Sequence, residues 1–292
     1  MFTVENGKNG KFDTVVMTDT TSGVTATLTP ARGGMLTSFV KNNKEYMFIN
    51  ESNFFDEAIP PERPRCATPV LFPSVGNCAN DTFVWKDKSY PMPQHGIVQH
   101  QAWKVIATDT NGAASVTLQA VSDEKTKEMF PFDYSVTITY VLQGSKITLK
   151  QTYANTGTTA MPFSYGFHPY FKVSDMRELE WNITADGIAN DANGPYRPMP
   201  ANIQLPYDAQ GMSYTIFSNP KNKASFVDKA DGRKLTVHFD SNFHHLILWC
   251  VCANGFICVE PWNTLPNTLN TNPANLLESG KAQTAEIAFE AE

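Results

Sequence analysis

The sequence has no apolar run that approaches membrane-spanning length. The longest, Leu246–Ala253, falls far short of the roughly 20 residues a spanning helix needs. Its beginning, Met1–Lys11, is polar and lacks the apolar stretch of a secretory signal. Blocks of like charge are missing too. Lys and Arg number 23 against 29 Asp and Glu, a formal charge of −6, which argues against a nucleic-acid or polyanion partner. Cysteine is scarce and odd in number. Cys66, Cys78, Cys250, Cys252 and Cys258 do not make a disulfide framework, and none stands in C-x-x-C spacing. The expectation is a soluble cytoplasmic protein whose cysteines are buried thiols, with Cys250 and Cys252, two residues apart, on one face of a strand.

Familiar catalytic motifs are also lacking. There is no Gly-rich phosphate loop, no G-x-S-x-G and no H-E-x-x-H, so nucleotide transfer, α/β-hydrolase chemistry and zinc-protease chemistry lack their parts. Helix signal is thin. The best stretch is Ser122–Met129, which Ser122 can cap and Pro131 would end.

What the chain does have is strand signal. Tyr134, Val136, Ile138, Tyr140 and Leu142 alternate with polar residues, Gly144-Ser145 interrupts, and Ile147, Leu149 and Tyr153 resume the pattern, which predicts a long hairpin. Shorter runs recur at Thr14–Thr18, Val24–Thr29, Trp103–Thr108, Ser115–Val121, Ala224–Asp228, Leu235–Asp240 and Thr284–Phe289. Leu246–Ala253 and Phe256–Val259 flank Asn254-Gly255, a hairpin turn pair. Asp186–Gln210, rich in Asn, Gly and Pro, reads as a long loop. No linker or repeat divides the chain, so residues 1–292 read as one all-β domain with very little helix, a sandwich of antiparallel sheets.

Two residues stand out chemically. His168 sits in Phe163-Ser164-Tyr165-Gly166-Phe167-His168-Pro169-Tyr170-Phe171, where it is either a core histidine or an imidazole facing a ligand. Gly166 would permit close approach of a ligand or of backbone. Glu260 follows an apolar run directly, with Pro261 and Trp262 after it, so its carboxylate is expected where a strand meets a loop. Histidine can exchange a proton near neutral pH and a carboxylate can serve as its partner, so the two can form an acid and base. His95, in Pro93-Gln94-His95-Gly96, lies on a loop. His244 and His245 are adjacent and would point to opposite faces of a strand, a poor metal site. Trp262 and the rings around His168 either pack on a sugar or fill the core.

At these positions the chain resembles the aldose 1-epimerase (galactose mutarotase-like) family, especially its small bacterial LacX-type branch. The matching segments are Thr68-Pro69-Val70-Leu71-Phe72-Pro73, Pro93-Gln94-His95-Gly96, Phe130-Pro131-Phe132, Phe163–Phe171 and Ile257-Cys258-Val259-Glu260-Pro261-Trp262, with Leu277–Lys281 near the family's usual ending. The resemblance implies a β-supersandwich of large twisted antiparallel sheets with a sugar in a cleft. It implies that His168 protonates the ring oxygen and Glu260 deprotonates the anomeric hydroxyl, the pair facing each other with the sugar's C1–O5 unit between them. His95 matches a second, sugar-binding histidine, Arg65 an arginine of the phosphosugar branch, and Gln99 and Trp262 fall at substrate-binding positions. No metal and no organic cofactor is implied. The partner is a small sugar, with neither nucleic acid nor membrane, and the chain is expected to be a monomer or homodimer.

The chain departs from the family in its charges. Gly76-Asn77-Cys78-Ala79-Asn80-Asp81 and Gln99 stand where relatives place arginines, which predicts a preference for neutral aldoses over their 6-phosphates. A sugar-binding aspartate is replaced by Ser213 or compensated by Asp208. Two alternatives remain at this stage: a noncatalytic carbohydrate-binding or regulatory protein on the same fold, and a glycoside hydrolase or lyase, which needs a second carboxylate across the bond.

Overall fold

The computed structural model describes residues 1–54, 65–191, 194–271 and 275–292. Strands take up 51% of the residues and helices 8%, so the fold is all-β. The long hairpin forms as the alternation predicts. Tyr134–Gln143 pairs with Lys146–Asn155 from Tyr134↔Asn155 to Gln143↔Lys146, and Gly144 turns the chain at a positive φ of 63° that glycine adopts without a Cβ penalty. Tyr134, Val136, Ile138, Tyr140 and Leu142 are all buried, while the residues between them are half-exposed.

This hairpin lies within an eight-stranded antiparallel sheet. Its order runs Leu179–Ile183, Lys223–Asp228, Arg233–Phe239, Ala282–Ala291, Lys146–Asn155, Tyr134–Gln143, Ala114–Val121 and Lys104–Asp109. Facing it is a seven-stranded sheet built on Met212–Ser218, His245–Val251 and Phe256–Trp262. The short strands Gly187–Ala189, Gly166–Phe167, Val70–Leu71 and Tyr170–Lys172 complete it. Residues Phe2–Glu45 form a separate five-stranded sheet. The main core contains Val136, Ile138, Leu149, Ile287 and Phe289 from the eight-stranded sheet and Phe167, Phe171, Leu246, Leu248, Ile257 and Val259 from the seven-stranded one. Phe171 meets Phe289 edge-on at 5.1 Å, and Phe72 stacks on Tyr153 at 5.4 Å. Each such side chain contributes about 1.5–3 kcal/mol by leaving water. Among the described residues no helix is long and apolar enough to cross a membrane.

Local details differ from the sequence expectations. The helix is shorter, Glu124–Lys127, and its cap is Asp123, whose carboxylate accepts from the Thr126 N–H while the Thr126 hydroxyl accepts from the Asp123 N–H. Ser122 instead accepts from the Tyr134 N–H. A carboxylate next to the first turn accepts a stronger, charge-assisted bond than a hydroxyl one residue earlier. The strand before Asn254-Gly255 ends at Val251, because Cys252–Asn254 close into a 3₁₀ turn before Gly255 at φ 67°. Cys252 therefore leaves the strand and is half-exposed, while Cys250 stays buried, so the two do not share a strand face. Asp186–Gln210 contains the short strand Gly187–Ala189. None of the five cysteines is in a disulfide.

Candidate active site

The other face of the seven-stranded sheet is not part of the main core. Residues directly opposite in an antiparallel register point the same way, and the pairs Tyr214↔Trp249, Trp249↔Cys258 and Tyr170↔Cys258 lay one row of side chains across four strands. Glu260, two residues beyond Cys258 and opposite Ile247, continues this face, and Trp262 lies two residues further. Glu260 thus stands inside a strand, not at its junction with a loop. Pro261 removes one ladder donor only a residue before the strand ends and remains paired in register with Leu246. The Glu260 residue is 1% exposed.

His168 reaches the same place from the link between Gly166–Phe167 and Tyr170–Lys172. Its N–H donates to the Pro69 carbonyl at 3.0 Å. Its ring stacks on Tyr170 at 4.7 Å with only 10° between planes, and Trp249 meets it edge-on at 5.8 Å. The two stacked and edge-on rings fix the imidazole plane. His168 Nε2 then lies 3.4 Å from Glu260 Oε1, with both side chains buried. Gly166 is needed for the approach of backbone: a Cβ there would lie 2.9 Å from the Pro261 carbonyl oxygen.

His95 completes the cluster from a tight loop. It takes a positive φ of 67°, donates its N–H to the Gly76 carbonyl and accepts the Gly76 N–H at Nδ1. Its ring meets His168 edge-on at 5.1 Å and Trp262 at 5.6 Å. Together with Arg65, Gln94, Met212, Tyr214 and Trp249, these residues line a cavity of about 260 Å³. Arg65 is exposed, its guanidinium 5.8 Å from the Trp249 ring centroid. A larger groove of about 670 Å³ lies elsewhere, lined by His244, His245, Asn263 and others, and holds none of the paired acid and base groups.

Gln99 is not among the lining residues. It is buried behind the loop, and its amide donates to the Gln94 carbonyl at 2.9 Å, so it braces the segment that carries His95. Ser213 is 1% exposed and alternates with Met212 and Tyr214, so it points away from the cavity. Asp208 closes a turn, accepting from the Gln210 and Met212 N–H groups. Tyr214, Trp249, Met212 and Gln94 were not singled out by the sequence. The alternation of Met212 and Tyr214 against Trp249 would have revealed them only with the register known. Burial, and secondarily the Glu260 carboxylate, push the Tyr214 hydroxyl well above its usual pKa.

Known proteins resemble this chain in sequence or in fold. Protein LacX of Lactococcus lactis is 23% identical over 273 residues, covering 84% of this chain and 86% of LacX. The Slr1438 protein from Synechocystis superposes with a TM-score of 0.88 at 28% identity, over 96% of this chain and 95% of that one. A galactose mutarotase-like protein from Clostridium acetobutylicum gives a TM-score of 0.85 at 17% identity, over 100% and 98%. Residues 13–290 match the family described as aldose 1-epimerase, and the chain belongs to that family.

Proposed function

We propose that the protein is a mutarotase that interconverts the α and β anomers of a free aldose. The observation that carries this reading is the 3.4 Å contact between His168 Nε2 and Glu260 Oε1 at one small cavity. Ring opening needs a proton delivered to O5 and another removed from the O1 hydroxyl. Both oxygens are bonded to C1, so the acid and base must stand side by side. At 3.4 Å the pair leaves no room for sugar atoms between them, contrary to the sequence expectation. The sugar therefore lies over both groups with its C1 edge toward them.

In the mechanism, protonated His168 donates to O5 while the Glu260 carboxylate takes the O1 proton. The C1–O5 bond breaks and O1 becomes the aldehyde oxygen. Rotation about C1–C2 presents the other face of the carbonyl. On reclosure O5 attacks C1, its proton returns to His168, and Glu260 gives its proton back to O1. Nothing is consumed, and each group ends as it began. His95 donates a hydrogen bond to the sugar, and Trp262 lines the cavity with its ring. Gln99 acts as a positioning residue for the His95 loop.

A cavity of about 260 Å³ lies below the roughly 300–1,000 Å³ of sites for drug-sized ligands, which suits a monosaccharide. Arg65 is the one Lys or Arg side chain lining it among the described residues. Lys86 lies against Trp85, Lys172 is exposed outside the cavity, Asp81 is bonded to Asn77, and Arg63 falls outside the described residues. A phosphate dianion is held best by two or more cations, bidentate Arg above all, so neutral aldoses are the preferred substrates. Glu260 is the lone carboxylate lining the cavity among the described residues, which disfavours a two-carboxylate glycosidase. The thiol state of the cysteines suits a reducing compartment.

Polarimetry of freshly dissolved α-glucose and α-galactose tests the proposal. The protein should speed the approach to equilibrium beyond the rate in buffer. Sugar binding with no acceleration would instead support a noncatalytic carbohydrate-binding protein.

A further inference from the structure

The acid and base of the proposed mechanism have a third neighbour that the mechanism does not use. Cys258 lies two residues before Glu260 on the same strand and is opposite both Trp249 and Tyr170, so its side chain shares their face. The Cys258 sulfur, a His168 ring nitrogen and a Glu260 carboxylate oxygen all lie within 4.8 Å of one another, and all three residues are buried. Among the described residues no other set of three such donors converges.

Thiolate, imidazole and carboxylate are the donor types that Zn²⁺ takes, at bond lengths of about 2.0–2.3 Å in a tetrahedron. Donors on one such ion stand about 3.3–3.8 Å apart, the edge of that tetrahedron. The His168–Glu260 pair is already at 3.4 Å, and the sulfur lies within 4.8 Å of the ring nitrogen and carboxylate oxygen it would join. Three protein ligands leave a fourth position, as in catalytic zinc sites and unlike closed structural ones. His168 and Glu260 line the cavity, so an ion held by them would border the space assigned to the sugar. A hard cation such as Mg²⁺ or Ca²⁺ prefers oxygen ligands and is not served by this set.

We propose that His168, Cys258 and Glu260 form an inhibitory site for a thiophilic divalent cation of the Zn²⁺ class. On binding, the thiol proton is lost to solvent and the sulfur, nitrogen and oxygen each donate a lone pair to the ion, with no change of oxidation state. The ion occupies the atoms that would exchange protons with O5 and O1, so it blocks ring opening. Only this inhibitory consequence rests on the mutarotase reading; the binding of metal does not.

The test uses metal-stripped full-length protein, titrated with ZnCl₂ in a calorimeter and with CoCl₂ in a spectrophotometer. The wild type should take up one ion per chain and develop a thiolate-to-cobalt charge-transfer band. Its mutarotation should fall with Zn²⁺, recover with EDTA, and be unaffected by MgCl₂. Cys258→Ser, with Cys258→Ala as a second variant, should lose the cobalt band and bind Zn²⁺ at least tenfold more weakly. Both should keep metal-free mutarotation. Absence of one-per-chain uptake, or a band and inhibition unchanged in both variants, overturns the proposal. If the protein accelerates no mutarotation at all, uptake and the cobalt band still decide the site on their own.

Discussion

The N–H of Gly76 donates to Nδ1 of His95 at 3.0 Å, and the N–H of His95 donates back to the Gly76 carbonyl at 2.8 Å. This reciprocal pair holds both backbone and ring. With Nδ1 accepting, the proton of the neutral imidazole resides on Nε2, the donor that the proposed mechanism directs at a sugar oxygen. Replacing His95 by Leu removes that donor, and kcat/KM for the preferred aldose should fall about 10-fold or more, about 1.4 kcal/mol. Unchanged kcat/KM in His95→Leu would remove His95 from the sugar contacts.

The loop that carries His95 depends on Gly96. Its φ is 76°, and a Cβ at this position would lie 2.2 Å from the Phe72 carbonyl oxygen. Gly96→Ala must therefore displace backbone on one side or the other. The variant should lose about 1–3 kcal/mol of stability, read as a lower urea midpoint, together with reduced activity because His95 moves. A wild-type midpoint would show that the loop accommodates the methyl group.

Stability should also depend on pH through His245. Burial, and secondarily the neighbouring His244, hold the His245 pKa down to about 4 from 6.5. Above about pH 6.5 neither the folded nor the unfolded chain binds this proton. As pH falls from there toward about 4 the unfolded chain takes it up first, so stability is lost, by up to about 3 kcal/mol from this group. His245→Gln should flatten this part of the urea-midpoint profile. An equally steep profile in the variant would assign the loss to other groups.

Substrate charge is decided by kcat/KM for glucose, galactose and glucose 6-phosphate measured side by side. With one Lys or Arg side chain lining the cavity among the described residues, the neutral sugars should be favoured. Loss of one charge-assisted contact is worth about 1.5–3 kcal/mol, about 10- to 150-fold. A tenfold advantage for the phosphate would contradict the charge argument.

The sheets were legible in the sequence because alternation is local: Tyr134 to Leu142 and Ile147 to Tyr153 state their own faces. Helix capping was less legible, since Ser122 and Asp123 are both capping residues and only the Thr126 contact separates them. For Glu260 the segment was readable, but its position inside a strand followed from pairing with His245–Val251, a long-range fact. Tyr214 and Trp249 became visible as cavity residues only through the register that sets them opposite each other. Gln99 fell close to the site in sequence yet faces behind the His95 loop, because proximity along a chain does not fix which side of a loop a side chain takes.

The account rests on His168 and Glu260 acting as one unit. The direct measurement is the catalysed anomer exchange rate, by NMR at equilibrium, for wild type, His168→Asn, Glu260→Gln and the double variant. Each single change should lower the rate by about 10²–10⁴, the contribution of one acid–base group, while sugar binding persists. The double variant should be scarcely slower than the worse single one, because groups that act together are not additive. Wild type should show a bell-shaped pH profile whose two limbs belong to the His168–Glu260 pair as a unit. A single variant that keeps the wild-type rate above background would contradict the pairing.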